Sequence, residues 1–253
     1  MKKKKILWSV LAGVFALSLC VCLFFLWKGR QPQIEIPDPV PPVVEEPEPV
    51  LPDPVPCPVN FEELKEQNPH IYAWLQIPGT TIDYPVLQHP ENDGYYMDHA
   101  LDGKYLAAGC LFTEKRYNNL DFSDPVTVVY GHHMYDGSMF GNLQEHFSNH
   151  QLGNEDIIYI YTPTVRKTFR VFGGIPHEST HILHYHNFFN RKDYENFFTN
   201  ELEYDNLYAN TDPNLRPKFG ESVLILSTCQ REDRTHRFLV LGIQVKEEPI
   251  IVS

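Results

Sequence analysis

Apolar and polar positions along this chain change rhythm from segment to segment, and each rhythm predicts a different element. From Ile6 to Trp27 there is not one charge. As a helix this stretch reaches roughly 33 Å, enough to cross a bilayer core of about 30 Å. Residues 31–58 have no period and are dominated by proline. The segment "NFEELKEQNPHIYAWL" then spaces Phe61, Leu64, Ile71 and Leu75 along one apolar side and is split at Pro69, which predicts two short helical pieces. After Pro78-Gly79, a turn signal, short β-like runs take over: "TIDYPVLQ", "AAGCLFTE", "PVTVVYG", "DIIYIYTP", "KTFRVFGGI", "SVLILST" and "RFLVLGIQV". Each is bounded by Gly, Pro, Asp or Asn. One helix interrupts them, in "NRKDYENFFTNELEYDN" over 190–206. There Tyr194, Phe197, Phe198 and Leu202 fall at i, i+3, i+4 and i+8 behind Asn190 as N-cap. Seven or eight short strands with few helices predict a mainly β domain, a barrel or sandwich rather than an α/β sheet. No internal repeat, Gly-rich phosphate loop or nucleotide motif is present.

The flanking residues give the first segments an orientation. Lys2 to Lys5 precede the apolar span, and only Lys28 and Arg30 follow it closely. The bias predicts residues 1–5 in the cytoplasm, a membrane span at 6–27 and everything after it outside. The span is longer than a signal-peptide core and ends Phe24-Phe25-Leu26-Trp27 without a small-residue cleavage site, so it reads as an uncleaved anchor. Cys20 and Cys22 follow Leu19 and Val21, residues too large for a lipoprotein signal. Residues 28–58 read as an extracellular stalk, since 31–58 hold 11 of the 21 prolines, six acids and no base. Proline fixes φ, and such a polyproline II stalk reaches on the order of 90 Å when fully extended.

Residues 59–253 are left as one domain with a single core. Setting aside the six bases that flank the span, 15 Lys and Arg stand against 33 Asp and Glu. That balance argues against nucleic acid and against anionic lipid surfaces as partners of the domain. Only Cys110 and Cys229 lie in it, too few for a disulfide framework. Cys110 sits inside an apolar run and reads as core, which leaves Cys229 as a free thiol in an oxidising compartment.

The stretch "LSTCQREDRTHRF" puts Cys229 at the end of an apolar strand, with Arg231, Arg234 and Arg237 after it. Upstream, the run Val126 to Tyr130 continues into Gly131-His132-His133. If the two strands are adjacent and parallel, imidazole and thiol share one groove. Seven residues, 230–236, separate Cys229 from Arg237, and in a symmetric hairpin those two face each other about 5 Å apart at Cβ. A thiolate is the attacking form of cysteine. A guanidinium favours a neighbouring anion and donates to a developing oxyanion. A histidine hands a proton to a leaving amine. Each residue alone has an ordinary explanation: an inert small hydrophobe, a surface histidine pair, a solvated loop. The coincidence of all three at strand ends favours chemistry.

These residues resemble a known family. "LSTC" with Arg237 eight residues on, "VYGHHM" upstream, and "WLQIPGTTIDYPVLQ" near the start of the domain are similar to the sortases, specifically class B. The likeness covers nearly all of 59–253, and the helix at 190–206 is similar to the extra helix of class B. The resemblance implies an eight-stranded β-barrel with N-terminal helices and a helix between the sixth and seventh strands. It implies a membrane-anchored cysteine transpeptidase that uses no metal and no cofactor. Its partners would be secreted proteins with a C-terminal sorting motif, cut after Thr and held as a thioester, and an amine of the peptidoglycan precursor. Carried over, Cys229 matches the nucleophile, His132 the histidine after the Gly of "YGH", and Arg237 the arginine that opens the last strand. The family's T-L-x-T-C reads Ile225-Leu226-Ser227-Thr228-Cys229 here, an apolar first position. Ser227 and Thr228 are expected to shape the substrate pocket.

Two other readings stand beside this one. His181, His184 and His186 in "HILHYH", with His132, His133 and Cys229, allow a zinc-dependent hydrolase to be drawn. No H-E-x-x-H is present, however, and the arginines would repel a cation near Cys229. A non-enzymatic module on a stalk is the third reading, and it needs no free thiol.

Overall fold

The computed structural model describes residues 17–29, 53–203, 209–231, 233 and 235–251. The chain divides into two compact units, Met1–Val50 and Leu51–Ser253. In the first, residues 17–28 are helical, and Leu17, Leu23, Phe25, Leu26 and Trp27 are exposed. Among the described residues no helix is long and apolar enough to cross a membrane. Residues 6–16 of the predicted span, most of the stalk and Arg234 lie outside the described residues.

The second unit is built on strands β1 (Ile71–Gln76), β2 (Asp83–Leu87), β3 (Leu111–Phe112), β4 (Val126–Tyr130), β5 (Ile157–Tyr161), β6 (Val165–Glu178), β7 (Val223–Cys229) and β8 (His236–Ile251). Their order is β8-β7-β4-β3-β2-β1-β5-β6, and β6 pairs back onto β8, so the sheet closes into an eight-stranded barrel. Two-residue strands flank the ring: Asn210–Thr211 pairs with β6, and Val55–Pro56 pairs with Ile250 and Ile251 of β8. A proline has no N–H to give to a ladder, so an edge is where Pro56 fits. Within the ring two pairings are parallel, β2 with β3 and β4 with β7, and the flanking Val55–Pro56 also pairs parallel to β8.

The seven sequence runs expected to be strands each contain one. The eighth strand, β1, was expected to be a second helical piece, and here the expectation fails. Asn60 caps helix α1 (Phe61–Gln67) by accepting from Glu62 and Glu63 N–H, and the helix stops at Asn68 ahead of Pro69. Beyond it Ile71 and Leu75 still share a face, but four residues is also two strand repeats, so the same pair fits period 2. Ile71, Ala73 and Leu75 are fully buried while β2 and β5 pair along either side of the strand. Tertiary pairing, with Ile, Tyr and Trp suited to a pleated surface, overrides the helical spacing. Sequence spacing also missed short helices α2 (Leu143–Ser148) and α3 (Ile182–Tyr185) and a 3₁₀ turn at Tyr95–Met97.

The helix between the sixth and seventh strands is α4 (Arg191–Glu203), and its continuation to 206 lies outside the described residues. Asn190 Oδ1 accepts the Asp193 N–H at 3.2 Å, and Tyr194, Phe197, Phe198 and Leu202 are buried as the periodicity predicts. These four pack with Val126, Val128, Val223, Ile225, Leu239 and Leu241 on the outer face of the barrel. The alternate residues Val129, Leu224, Leu226, Phe238 and Val240 fill the barrel interior with Leu75, Ile82, Ile158 and Phe169. Strands β4, β7 and β8 are therefore apolar on both faces, inside from ring closure and outside from α4.

Phe198 is 2% exposed and lies edge-on to Phe172 of β6. Phe198→Ala should destabilise the domain by about 3–5 kcal/mol in denaturant unfolding, the range for a buried aromatic. A loss below about 1 kcal/mol would mean that α4 is not part of the cooperative core.

Candidate active site

Strand register sets the site. Parallel pairing of β4 with β7 puts Tyr130 beside Ser227, and Gly131 N–H reaches Ser227 carbonyl at 3.1 Å. The chain leaves β4 as Gly131-His132 while β7 runs on to Cys229. Antiparallel pairing of β7 with β8 puts Arg237 opposite Cys229. Pleat alternation then sorts the faces. Ile225 and Leu239 belong to the outer face under α4 and Leu226 and Phe238 to the interior. Ser227, Cys229 and Arg237 thus sit on the outer face, just past the end of the apolar strip, and Thr228 points inward.

Arg237 Nη1 donates to Cys229 Sγ at 2.8 Å. Both residues are half-buried, as is His132. The three, with Ser227 and Thr228, line one cavity of about 270 Å³. Gly94 and Met97 at the 3₁₀ turn, Ser179, Thr180 and His181 of the β6–α3 connection, and Ile182 at the start of α3 also line it. All five sequence-predicted residues therefore meet in one place. His132 Nε2–H donates to the Met97 carbonyl at 2.8 Å, which fixes the neutral ring as the tautomer with its free lone pair on Nδ1. His133 does not line the cavity; it forms a bridge with Met139 and its ring lies edge-on to Tyr135. Gly131 has a packing reason: an added Cβ would lie 2.4 Å from Leu111 Cδ2 and 2.6 Å from Phe140 Cδ2.

Arg231 turns away to Glu145, 3.7 Å off and exposed, and its N–H is held by Gln144 at 3.0 Å. The histidines of "HILHYH" go to separate partners: His181 to Glu114, His184 to Tyr117, His186 to Asp193. Among the described residues no group of three or more His, Cys, Asp or Glu is placed to hold a metal ion. The zinc arrangement drawn from the sequence therefore has no geometric basis here.

Sequence reasoning missed four contributors to the site. Met97 acts through its carbonyl, which carries no sequence signal. Glu114 and His181 lie 67 residues apart, and only the fold joins them. Tyr130 was legible, since alternation from Val126 and Val128 puts it on the outer face with Cys229. Burial, and then the nearby Glu114 carboxylate, push its hydroxyl far above the usual tyrosine range, so it stays protonated.

With the geometry in place, comparison with known proteins is informative. The model of the Sortase domain matches residues 75–245. Sortase B of Listeria monocytogenes is 29% identical over 175 residues, 68% of each chain. Sortase B of Staphylococcus aureus is 27% identical over 189 residues, 74% of this chain and 75% of that one. The crystal structure of Clostridium perfringens sortase B superposes with a TM-score of 0.62 at 27% identity, covering 74% of this chain and all of that one.

The two thiols of the domain should separate in reactivity. Burial pushes the Cys110 thiol up to about 11, so it is protonated at pH 7.5, whereas Cys229 is partly open with a guanidinium on its sulfur. Iodoacetamide at pH 7.5 should alkylate Cys229 at least about tenfold faster than Cys110, read by site-resolved mass spectrometry. Equal rates would contradict this. Gly131→Ala should cost about 1–3 kcal/mol of stability in denaturant unfolding through overpacking, and wild-type stability would show that Leu111 and Phe140 give way.

Proposed function

The chain belongs to the sortase family, in class B, and we propose that it anchors secreted proteins to the cell wall by using Cys229 as nucleophile, His132 as proton carrier and Arg237 as oxyanion donor. The family members are cysteine transpeptidases, and so is this chain. The observation that carries the assignment is the 2.8 Å contact of Arg237 Nη1 with Cys229 Sγ in a cavity shared with His132.

The chemistry follows from the atoms. The Cys229 thiolate attacks the carbonyl carbon after Thr in a sorting motif, and the oxygen becomes an oxyanion. Arg237 has five N–H donors and spends one on sulfur, which leaves others for that oxygen. As the C–N bond breaks, protonated His132 gives its proton to the leaving amine and a thioester remains on Cys229. With Nε2–H on Met97, Nδ1 is the nitrogen that exchanges this proton. An amine of the peptidoglycan precursor then attacks the thioester and releases the thiolate. Ser227 and Thr228 line the substrate groove, Ser227 with its side chain on the Cys229 face.

The uncharged run from Ile6 to Trp27, with four lysines before it, supports a single-pass anchor that leaves the catalytic domain outside the cell. The proline-rich stretch after it supports a stalk that holds the domain off the bilayer.

A library of Thr-containing pentapeptides offered to the enzyme should yield cleavage products ending in Thr. Cys229→Ala should abolish turnover with the circular dichroism unchanged, and retained turnover would sink the mechanism. On the best peptide, His132→Ala should lower kcat/KM by at least about 10²-fold and His133→Ala by much less. Arg237→Lys should cut kcat by about 10²–10³-fold, more than it raises KM, because a point charge cannot replace the planar fork. Equal losses for Arg231→Ala and Arg237→Ala would replace a positioned donor with a diffuse field.

A further inference from the structure

We propose that Glu114 is the acceptor-binding residue, receiving the incoming amine as its ammonium. This deepens the transpeptidase reading and rests on it.

Neighbours around the ring run β3, β4, β7, β8. Glu114 follows β3, Tyr130 ends β4, Cys229 ends β7 and Arg237 opens β8. Around the ring the guanidinium stands on the strand next to the thiol, and the carboxylate follows a strand two away. Among the described residues that line the cavity, Glu114 is the only acid and Arg237 the only permanent cation. The cavity lining thus carries one fixed charge of each sign, with the guanidinium on the thiol. The Tyr130 hydroxyl feels both, raised by Glu114 and lowered by Arg237.

Glu114 is held for this role. Its oxygens lie 3.1 and 2.9 Å from His181 Nε2, and its side chain is 15% exposed. His181 Nδ1 accepts the His184 N–H at 3.1 Å, so the neutral ring carries its hydrogen on Nε2 and donates to the carboxylate. A neutral donor orients Glu114 and leaves its charge in place.

The acceptor needs such a group. An α-amine with a pKa near 7.7–8.0, or a lysine-type amine near 10.4, arrives at pH 7 mostly as ammonium. Arg237 repels a cation and Glu114 attracts one, in surroundings where charges act more strongly than in water. Held there, the ammonium releases one proton to solvent. Its second proton passes to His132 as the C–N bond forms and the C–S bond breaks, and Cys229 leaves as thiolate. Glu114 takes no proton; it supplies affinity for the charged acceptor.

The test compares two acceptors on the full-length enzyme, acylated with the best peptide of the pentapeptide library. Glycinamide is largely an ammonium at pH 7, and hydroxylamine is uncharged. Glu114→Gln should lower the ratio of glycinamide to hydroxylamine transfer about tenfold, chiefly through the KM for glycinamide, while Glu114→Asp should recover part of it. An unchanged ratio overturns the proposal, and so does an equal loss with both acceptors, which would make Glu114 purely structural. If the unaltered enzyme transfers nothing to hydroxylamine, the thioester reading itself falls and the proposal with it.

Discussion

The register of β7 between β4 and β8 is the constraint on which the rest depends. Val126 pairs with Val223 and Tyr130 with Ser227 on one side, and Arg237 pairs with Cys229 on the other. A slip of one residue would turn every β7 side chain to the opposite face. Cys229 would enter the barrel and Leu226 would lie under α4. The slip is resisted because both faces are specified. Leu224 and Leu226 are fully buried inside, and Val223 and Ile225 are as deeply buried outside. The positions of Cys229 and Arg237 are thus secured by apolar residues buried elsewhere on the same strands.

The same two-faced burial explains where the site lies. The interior of this barrel is packed with apolar side chains such as Leu75, Val129, Leu226 and Phe238, and the groove lies on the outside. Helix α4 covers the outer strip of β4, β7 and β8 with Tyr194, Phe197 and Phe198 and leaves uncovered the last residues of β4 and β7 and the first of β8. Tyr130, Ser227, Cys229 and Arg237 occupy those positions, and the 179–182 connection and the Tyr95–Met97 turn also line the groove. Loops wall the groove, while the thiol and the guanidinium stand on strands, where the ladder limits their movement.

Much of this was legible in the sequence because it is local or follows from strand geometry. Hairpin symmetry across 230–236 gave Arg237 as the partner of Cys229. Alternation separated Ser227 from Thr228, and helical spacing gave the buried face of α4. Two kinds of information were not legible. The Ile71–Leu75 spacing suits a helix or a strand equally, and only pairing with β2 and β5 decides between them. Contacts that join distant segments, Glu114 with His181 or His132 with the Met97 carbonyl, need the closed barrel before they exist.

The His132 contact also says something about how the charges are arranged. In a Ser-His-Asp triad a buried carboxylate orients the imidazole and stabilises the imidazolium. Here a neutral carbonyl does the orienting, so His132 is fixed in tautomer without an anion at its back. In the proposed mechanism the positive charge that protonated His132 carries is balanced across the cavity by the Cys229 thiolate, rather than behind the ring. Arg237, already on the sulfur, competes for that same anion. In the proposed mechanism the sulfur gives up its negative charge as the S–C bond forms, which frees the guanidinium just when the tetrahedral oxyanion needs a donor. A carboxylate behind His132 would instead hold a fixed negative charge near that oxyanion and oppose it. A carbonyl orienter and a permanently charged arginine are therefore two parts of one arrangement, in which a neutral group orients the imidazole and the fixed charge beside the sulfur is positive.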